Sequence, residues 1–264
     1  MKLLLAGDSH GDANYMQKVI NHACLLEADA IFQLGDWGLG FGLSQRKISG
    51  EQYDTFTYHV SKFATLVMCP VYFLPGNHEN YDYLEQLLPT LKKRSNDTYE
   101  LEPNVYFVPR GTIIEFGGIR FLVCGGATSV DQDYRTPHVS YWQQELITDE
   151  DVAKCKAAGP ADVVLTHDFP IECTVIDRHL SPGWGEKAQR EVIQNRTKVS
   201  EILDASGASF LFHGHLHKRY DEFIETASGN RVLVKGLACN MDYLEDAIYL
   251  LDTEDLSGIE SRSQ

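Results

Sequence analysis

The chain has 264 residues, of which 43% are hydrophobic and 23% charged, values of a folded chain rather than a disordered or collagen-like one. Acidic residues outnumber basic ones 38 to 23, and the formal charge of −15 disfavours long nucleic acid and anionic membrane surfaces as partners. A phosphate-bearing ligand must therefore find a local cationic site.

The apolar run that opens the chain, Leu3 to Ala6, is too short for a signal-peptide core, and no later run approaches the roughly 20 residues of a membrane helix. Six cysteines, at 24, 69, 124, 155, 173 and 239, include no C-x-x-C pair. They read as buried reduced thiols of a cytoplasmic protein rather than a disulfide frame or a cysteine zinc site. With no Pro/Gly/Ser linker or repeat, residues 1–264 are expected to form one domain, with a frayed tail after about Asp252.

In chain order, Lys2–Ala6 reads as a buried strand. A helix follows over Ala13–Ala28, with Met16, Val19, Ile20, Ala23 and Cys24 forming one core-facing stripe. Strands are expected at Ala30–Leu34 and Pro70–Leu74. A further group falls at Asn104–Val108, Thr112–Phe116 and Ile119–Cys124, the last pair turned by Gly117-Gly118. Residues 37–58 lack a strong strand pattern until about Glu51 and read as a lid or an Ω-type loop. Thr148 N-caps a helix whose first turn, Asp149 to Asp151, complements the helix dipole and which stops at Gly159-Pro160. Asp162–Thr166 is a strand, 186–205 a helix and Ser209–His213 a strand. Antiparallel strands are expected at Arg219–Thr226, Arg231–Lys235 and Asp246–Leu251, the first two joined through Ser228-Gly229-Asn230. This order predicts an α/β fold of two sheets packed face to face with helices outside.

The chemistry gathers at strand ends. Leu3–Ala6 runs into Gly7-Asp8-Ser9-His10, Ile31–Leu34 into Gly35-Asp36, and Tyr72–Leu74 into Gly76-Asn77-His78-Glu79. Val163–Leu165 runs into Thr166-His167-Asp168, and Phe210–Phe212 into His213-Gly214-His215-Leu216-His217. The carboxyl edge of a sheet is where ligands bind, because its loops converge there. Clustering carboxylates and imidazoles without a cation carries an electrostatic cost with no structural return, a cost that a divalent metal removes. A donor set of oxygen and nitrogen without sulfur suits Mn²⁺, Fe²⁺/Fe³⁺ or Zn²⁺. One ion needs four to six ligands, and Asp8, His10, Asp36, Asn77, His167, His215 and His217 suggest two, with a carboxylate such as Asp36 bridging ions roughly 3.5–4 Å apart.

The order Asp8-x-His10, Gly35-Asp36, Gly76 to Glu79, Thr166-His167 and Gly214-His215-x-His217 resembles the calcineurin-like metallophosphoesterase superfamily, over residues 7 to 217. The resemblance implies a four-layer α/β/β/α sandwich with a dinuclear site at the strand ends. It puts Asp8, His10, Asp36 and His217 on one metal, and Asp36, Asn77, His167 and His215 on the other. It makes His78 the non-ligating histidine that contacts the substrate oxygen or protonates the leaving group, with a metal-bridging hydroxide as the attacking species. Leu39 stands where many relatives carry an Asp, and Leu39-Gly40-Phe41 stands where Ser/Thr protein phosphatases of the superfamily carry D-R-G. That leaves His78 with Asp168, a backbone carbonyl or no partner at all.

His213, His215 and His217 alternate, so an extended segment would point all three to one side and leaves 213 with 215 as an alternative ligand pair. The G-H-x-H match favours 215 and 217, with His213 supporting them from behind. Arg135 follows the loop opened by Gly125-Gly126 and could grip phosphate, with Trp142 packing the leaving group; the plainer reading folds Tyr141 and Trp142 onto the core. His22, His59, His138 and His179 match no motif. The expected function is hydrolysis of a small phosphate ester, a nucleotide or another phosphorylated molecule, as phosphodiesterase or phosphomonoesterase. The alternatives are a Ser/Thr protein phosphatase-like enzyme and, outside catalysis, a scaffold that binds a protein partner.

Overall fold

The computed structural model describes residues 1–41, 45–48, 51–174 and 183–257, and only the backbone of 45–48 and 51–53. In order the elements are β1 (Lys2–Ala6), α1 (Ala13–Leu25), β2 (Ala30–Gln33), β3 (Gln45–Ile48), β4 (Glu51–Asp54), α2 (Thr55–Val67), β5 (Val71–Phe73) and α3 (Tyr81–Leu87). There follow β6 (Tyr99–Glu102), β7 (Val105–Phe107), β8 (Thr112–Phe116), β9 (Ile119–Cys124), α4 (Asp149–Ala158), β10 (Val163–Thr166) and α5 (Glu186–Ser206). The described chain closes with β11 (Phe210–His213), β12 (Tyr220–Glu225), β13 (Arg231–Gly236), α6 (Leu244–Ala247), β14 (Ile248–Asp252) and α7 (Thr253–Ser257).

Two mixed six-stranded sheets form, ordered β14-β1-β2-β5-β7-β6 and β12-β13-β11-β10-β9-β8, and β3 pairs with β4 apart from both. Within the first sheet β1, β2, β5 and β7 run parallel; β9, β10, β11 and β13 do so in the second. Each sheet is edged by antiparallel strands. Alternation along β1 shows how the layers are held. Leu3 and Leu5 enter the apolar cluster between the sheets, while Leu4 and Ala6 pack under α1 and α2. On the second sheet Val163 and Leu165 face inward, and Val164 packs with Val152, Val199 and Ile202 of α4 and α5. Full burial of each such side chain contributes about 1.5–3 kcal/mol, which makes the α/β/β/α order the stable one.

Capping follows the local chemistry. Asp12 accepts from the backbone N–H groups of Asn14 and Tyr15 to start α1, and Thr148 and Asp151 form a reciprocal capping box on α4. Several boundaries differ from the sequence reading. Helix α1 ends at Leu25, and Cys24 is exposed, so five of the six unpaired cysteines are buried rather than all. Instead of a loop, residues 51–58 hold β4 and the first turn of α2, capped by Asp54. The segment after Asp252 is not frayed at once: α7 buries Leu256, and Thr253 Oγ1 accepts from the Met1 amino group at 3.0 Å. His179 lies outside the described residues, as does part of the segment 37–58. Among the described residues no helix is long and apolar enough to cross a membrane.

Candidate metal centre

Parallel pairing aligns the carboxyl ends of β1, β2 and β5 with those of β10 and β11 across the sandwich, and the side chains meet there. Asp8, His10, Asp36 and His217 each direct one ligand atom into a group lying within 4.8 Å of one another. His217 Nε2 is 3.0 Å from Asp8 Oδ2, and His10 Nε2 is 3.4 Å from Asp36 Oδ2. Asp36 also faces a second group. Its Oδ1 lies 3.1 Å from His167 Nε2, which is 3.2 Å from Asn77 Oδ1, and the His215 ring stands beside His167 with centroids 5.1 Å apart. All seven residues singled out as ligands therefore come together, with Asp36 between the two groups.

The backbone is bent to make this possible. His10, Asp36, His215 and His217 all have positive φ, at 47°, 53°, 67° and 52°. A left-handed conformation costs non-glycine residues about 1–2 kcal/mol each. Hydrogen bonds hold the bends. Ser9 and His10 donate their N–H groups to Asp36 O, Asn77 and His78 donate theirs to Asp36 Oδ1 at 2.7 and 2.8 Å, and His215 N–H reaches Asp8 Oδ1 at 3.0 Å. Close approach requires glycine at Gly76, where a Cβ would overlap both the Asp36 carboxylate and the His167 ring. Gly214 likewise lies against Asp8.

Electrostatics follow from burial and proximity. Burial alone would raise the Asp36 carboxyl, yet the His167 and His78 imidazoles and the His10 hydrogen bond hold it well below the usual carboxylate range. Burial lowers the affinity of His10 and His167 for protons, but Asp36 and Asp8 outweigh it and lift them to about 9 and about 10. His215 is pushed well down by burial and by the charge of His167. Two buried carboxylates thus draw positive charge onto neighbouring imidazoles. Divalent cations would satisfy that demand, and the oxygen and nitrogen donors at hand fit two of them.

His78 borders the first group, its Nε2 3.9 Å from Asp36 Oδ2. The partner expected from Asp168 is absent. Asp168 turns to α5, where its Oδ2 accepts from Asn195 Nδ2 at 2.7 Å and its Oδ1 lies 3.5 Å from Arg196 Nε. Arg135 takes that place, its Nη2 3.1 Å from His78 Nε2 and its Nε 2.7 Å from Asp131 Oδ1. Burial, together with the charge of Arg135, pushes the His78 imidazole below its ordinary value. Phe41 lies edge-on to the His78 ring at 5.1 Å. Trp142 is buried in the core, 1% exposed, with its ring 5.8 Å from that of Phe41.

His213 is held apart from His215 and His217. Strand β11 ends at His213, and the positive φ at His215 and His217 breaks the alternation that would have aligned the three. His213 Nε2 instead meets Tyr220 OH at 2.6 Å and its Nδ1 meets Gly214 O, so its ring bonds to no ligand side chain. Of the other histidines, His138 pairs with Asp82 at 2.9 Å and His59 is exposed.

Supporting residues missed from sequence include Gln33, buried at the end of β2, which donates to Gly7 O at 3.2 Å and ties the first two site loops together. Ser129 accepts from Asn77 Nδ2 at 3.3 Å, and Asn240 Oδ1 lies 2.9 Å from His10 Nδ1. A polar residue amid an apolar strand was the one available signal, and only Gln33 carried it.

In overall shape the chain is similar to the TT1561 protein of Thermus thermophilus, with a TM-score of 0.52 at 13% identity over 95% of this chain and 98% of that one. It is equally similar to a dimetal phosphatase from Danio rerio, with a TM-score of 0.52 at 14% identity over 95% and 91% of the two chains. No curated protein sequence matches it. The family model for calcineurin-like phosphoesterases matches residues 1–219, the span that carries every residue of both donor groups, and the chain belongs to that family.

Proposed function

We propose that the protein hydrolyses small phosphate esters, monoesters or diesters, at a pair of divalent cations. One observation carries the reading. Asp36 presents one carboxylate oxygen to His10 and the other to His167, joining the two donor groups. Asp8, His10, Asp36 and His217 would hold one cation, and Asp36, Asn77, His167 and His215 the other, with manganese, iron or zinc suited to the donors. When bound, such a pair supplies an activated water and withdraws charge from the phosphoryl oxygens.

The chain's own residues do the rest. Arg135 binds a phosphoryl oxygen, the role its fixed guanidinium fork suits. Once Arg135 turns from His78 to the phosphate, His78 Nε2 is free to hold a proton for the leaving oxygen. Phe41 supplies an apolar edge for the ester substituent. Leu39, buried where an acidic residue would orient the histidine in many relatives, counts against a protein-phosphatase role. Retention of His78 beside all seven donors counts against a silent scaffold. Six unpaired cysteines suit a reducing compartment such as the cytoplasm.

Metal analysis of the purified protein, followed by turnover of bis-p-nitrophenyl phosphate and p-nitrophenyl phosphate with added Mn²⁺, tests the proposal. Asp36→Asn is expected to lose bound metal and to lower turnover by at least ~10²–10³-fold. Unchanged metal content and activity in that variant would defeat the proposal.

A further inference from the structure

Resting on that reading, we propose that Asn240 is a positioning residue for the first cation site, fixing the ring of His10 from outside the family-matched span. Asn240 Nδ2 lies 3.3 Å from Asp12 Oδ2, and its Oδ1 lies 2.9 Å from His10 Nδ1. The Asp12 carboxylate also accepts the first N–H groups of α1, so it is acceptor only and the amide must turn its NH₂ toward it. That leaves the amide oxygen facing His10, whose Nδ1 must then carry the proton. When the ring is neutral, as a cation ligand must be, the lone pair is then on Nε2, the nitrogen aimed at Asp8 and Asp36. A chain of three side chains thus sets both the tautomer and the angle of the imidazole.

The same device serves the second donor group by a different route. His167 Nδ1 meets the backbone carbonyl of Leu34 at 2.7 Å, again leaving Nε2 for the site. A hydrogen bond to the remote ring nitrogen raises the basicity of a ligating histidine and fixes its orientation. At His10 that support comes from a side chain. Asn240 also donates its backbone N–H to Asp8 O at 2.9 Å, so one residue braces two donors of the same group. The surrounding segment is itself close to the first loop, since Gly7 N–H bonds to Ala247 O and a Cβ at Gly7 would overlap the Ala238 carbonyl oxygen.

The test is calorimetric titration of the full chain with Mn²⁺, comparing wild type, Asn240→Leu and Asn240→Asp, with thermal unfolding to confirm that each is folded. Asn240→Leu keeps side-chain volume but loses the acceptor, and is expected to bind one of the two ions 10–100-fold less well, as loss of such a support does. Asn240→Asp keeps an oxygen toward His10 but loses the donor to Asp12, and is expected to bind that ion better than Asn240→Leu and less well than wild type. In wild-type protein loaded with Zn²⁺, ¹H–¹⁵N spectra should show a slowly exchanging His10 Nδ1–H; this signal disappears in Asn240→Leu and returns in Asn240→Asp. Wild type that binds ions while Asn240→Leu binds them equally well would overturn the role of Asn240 alone. Wild type that binds none would overturn the metal reading with it. If Asn240→Leu does not fold, the wild-type ring proton decides, and its rapid exchange with solvent would refute the proposal.

Discussion

Ser129 donates both its backbone N–H and its hydroxyl to the carboxylate of Glu145, at 2.6 and 2.8 Å. The same hydroxyl oxygen accepts from the Asn77 side chain, which turns Asn77 Oδ1 toward His167. A buried carboxylate therefore orients a donor of the second group through one intermediate. Ser129→Ala should leave the fold intact and cost about 1 kcal/mol, the worth of a typical hydrogen bond. Because Asn77 then loses its brace, calorimetry should show weaker binding of a second Mn²⁺.

Glu145 also makes stability depend on pH. Burial lifts its carboxyl to about 8, against the lowering effect of the Ser129 hydrogen bonds and Arg135. With the folded value above the unfolded one, the native state binds more protons between roughly pH 4.5 and 8. This contribution is fully present below that interval, declines as pH rises through it, and is lost above about 8. The slope for one proton is at most about 1.4 kcal/mol per pH unit. Urea unfolding at pH 5 and pH 9 should therefore show Glu145→Gln gaining stability relative to wild type at the higher pH.

Cation binding should stabilise the fold. Asp8 and Asp36 are buried, and a ligand bound only by the native state at 100 times its Kd adds about 2.7 kcal/mol. Adding EDTA to metal-loaded wild type should lower Tm, and Mn²⁺ in excess of the chelator should restore it. Asp36→Asn should show little response to either addition.

Gly76→Ala isolates the packing of the centre from its chemistry. The new methyl would overlap Asp36 and His167, though no ligand is removed. Overpacking of this kind costs about 1–3 kcal/mol. The variant should unfold at a lower temperature and retain less metal, with unchanged far-ultraviolet circular dichroism.

Arg135→Ala should lower kcat/KM about 10- to 100-fold, matching the roughly 1.5–3 kcal/mol of a hydrogen bond to a charged group. Arg135→Lys should recover only part of this, because lysine lacks the fork. Metal content should stay at the wild-type level in both, since Arg135 contacts His78 and Asp131 rather than a donor.

The donors themselves were legible because each stands just past an apolar run, and parallel strands must deliver their ends to one edge. Leu3 to Ala6 and Val163 to Leu165 fix their own direction and burial by pattern alone. Helix α2 was missed although Phe56, Val60 and Ala64 repeat at four-residue spacing, because the preceding segment lacks strong periodicity. The proximity of Arg135 to His78 is hidden from the sequence for another reason. Asp168 is next to His167 in sequence, but its side chain is drawn to Asn195 and Arg196 on α5, and no local pattern encodes a contact across the second sheet. Asn240 and Glu145 were invisible on the same ground, as single polar residues whose meaning depends on distant loops.

The antiparallel pairing of β14 with β1 joins Lys2 to Asp252 and Ala6 to Ile248. More than two hundred residues of sequence separate the two strands, so β1 is synthesised long before the strand that covers its flank. Over that interval the β1 flank is an open sheet edge beside Asp8, a template for mispairing. Closure of that edge is thus a long-range, slow kind of pairing on which the strand leading to Asp8 depends.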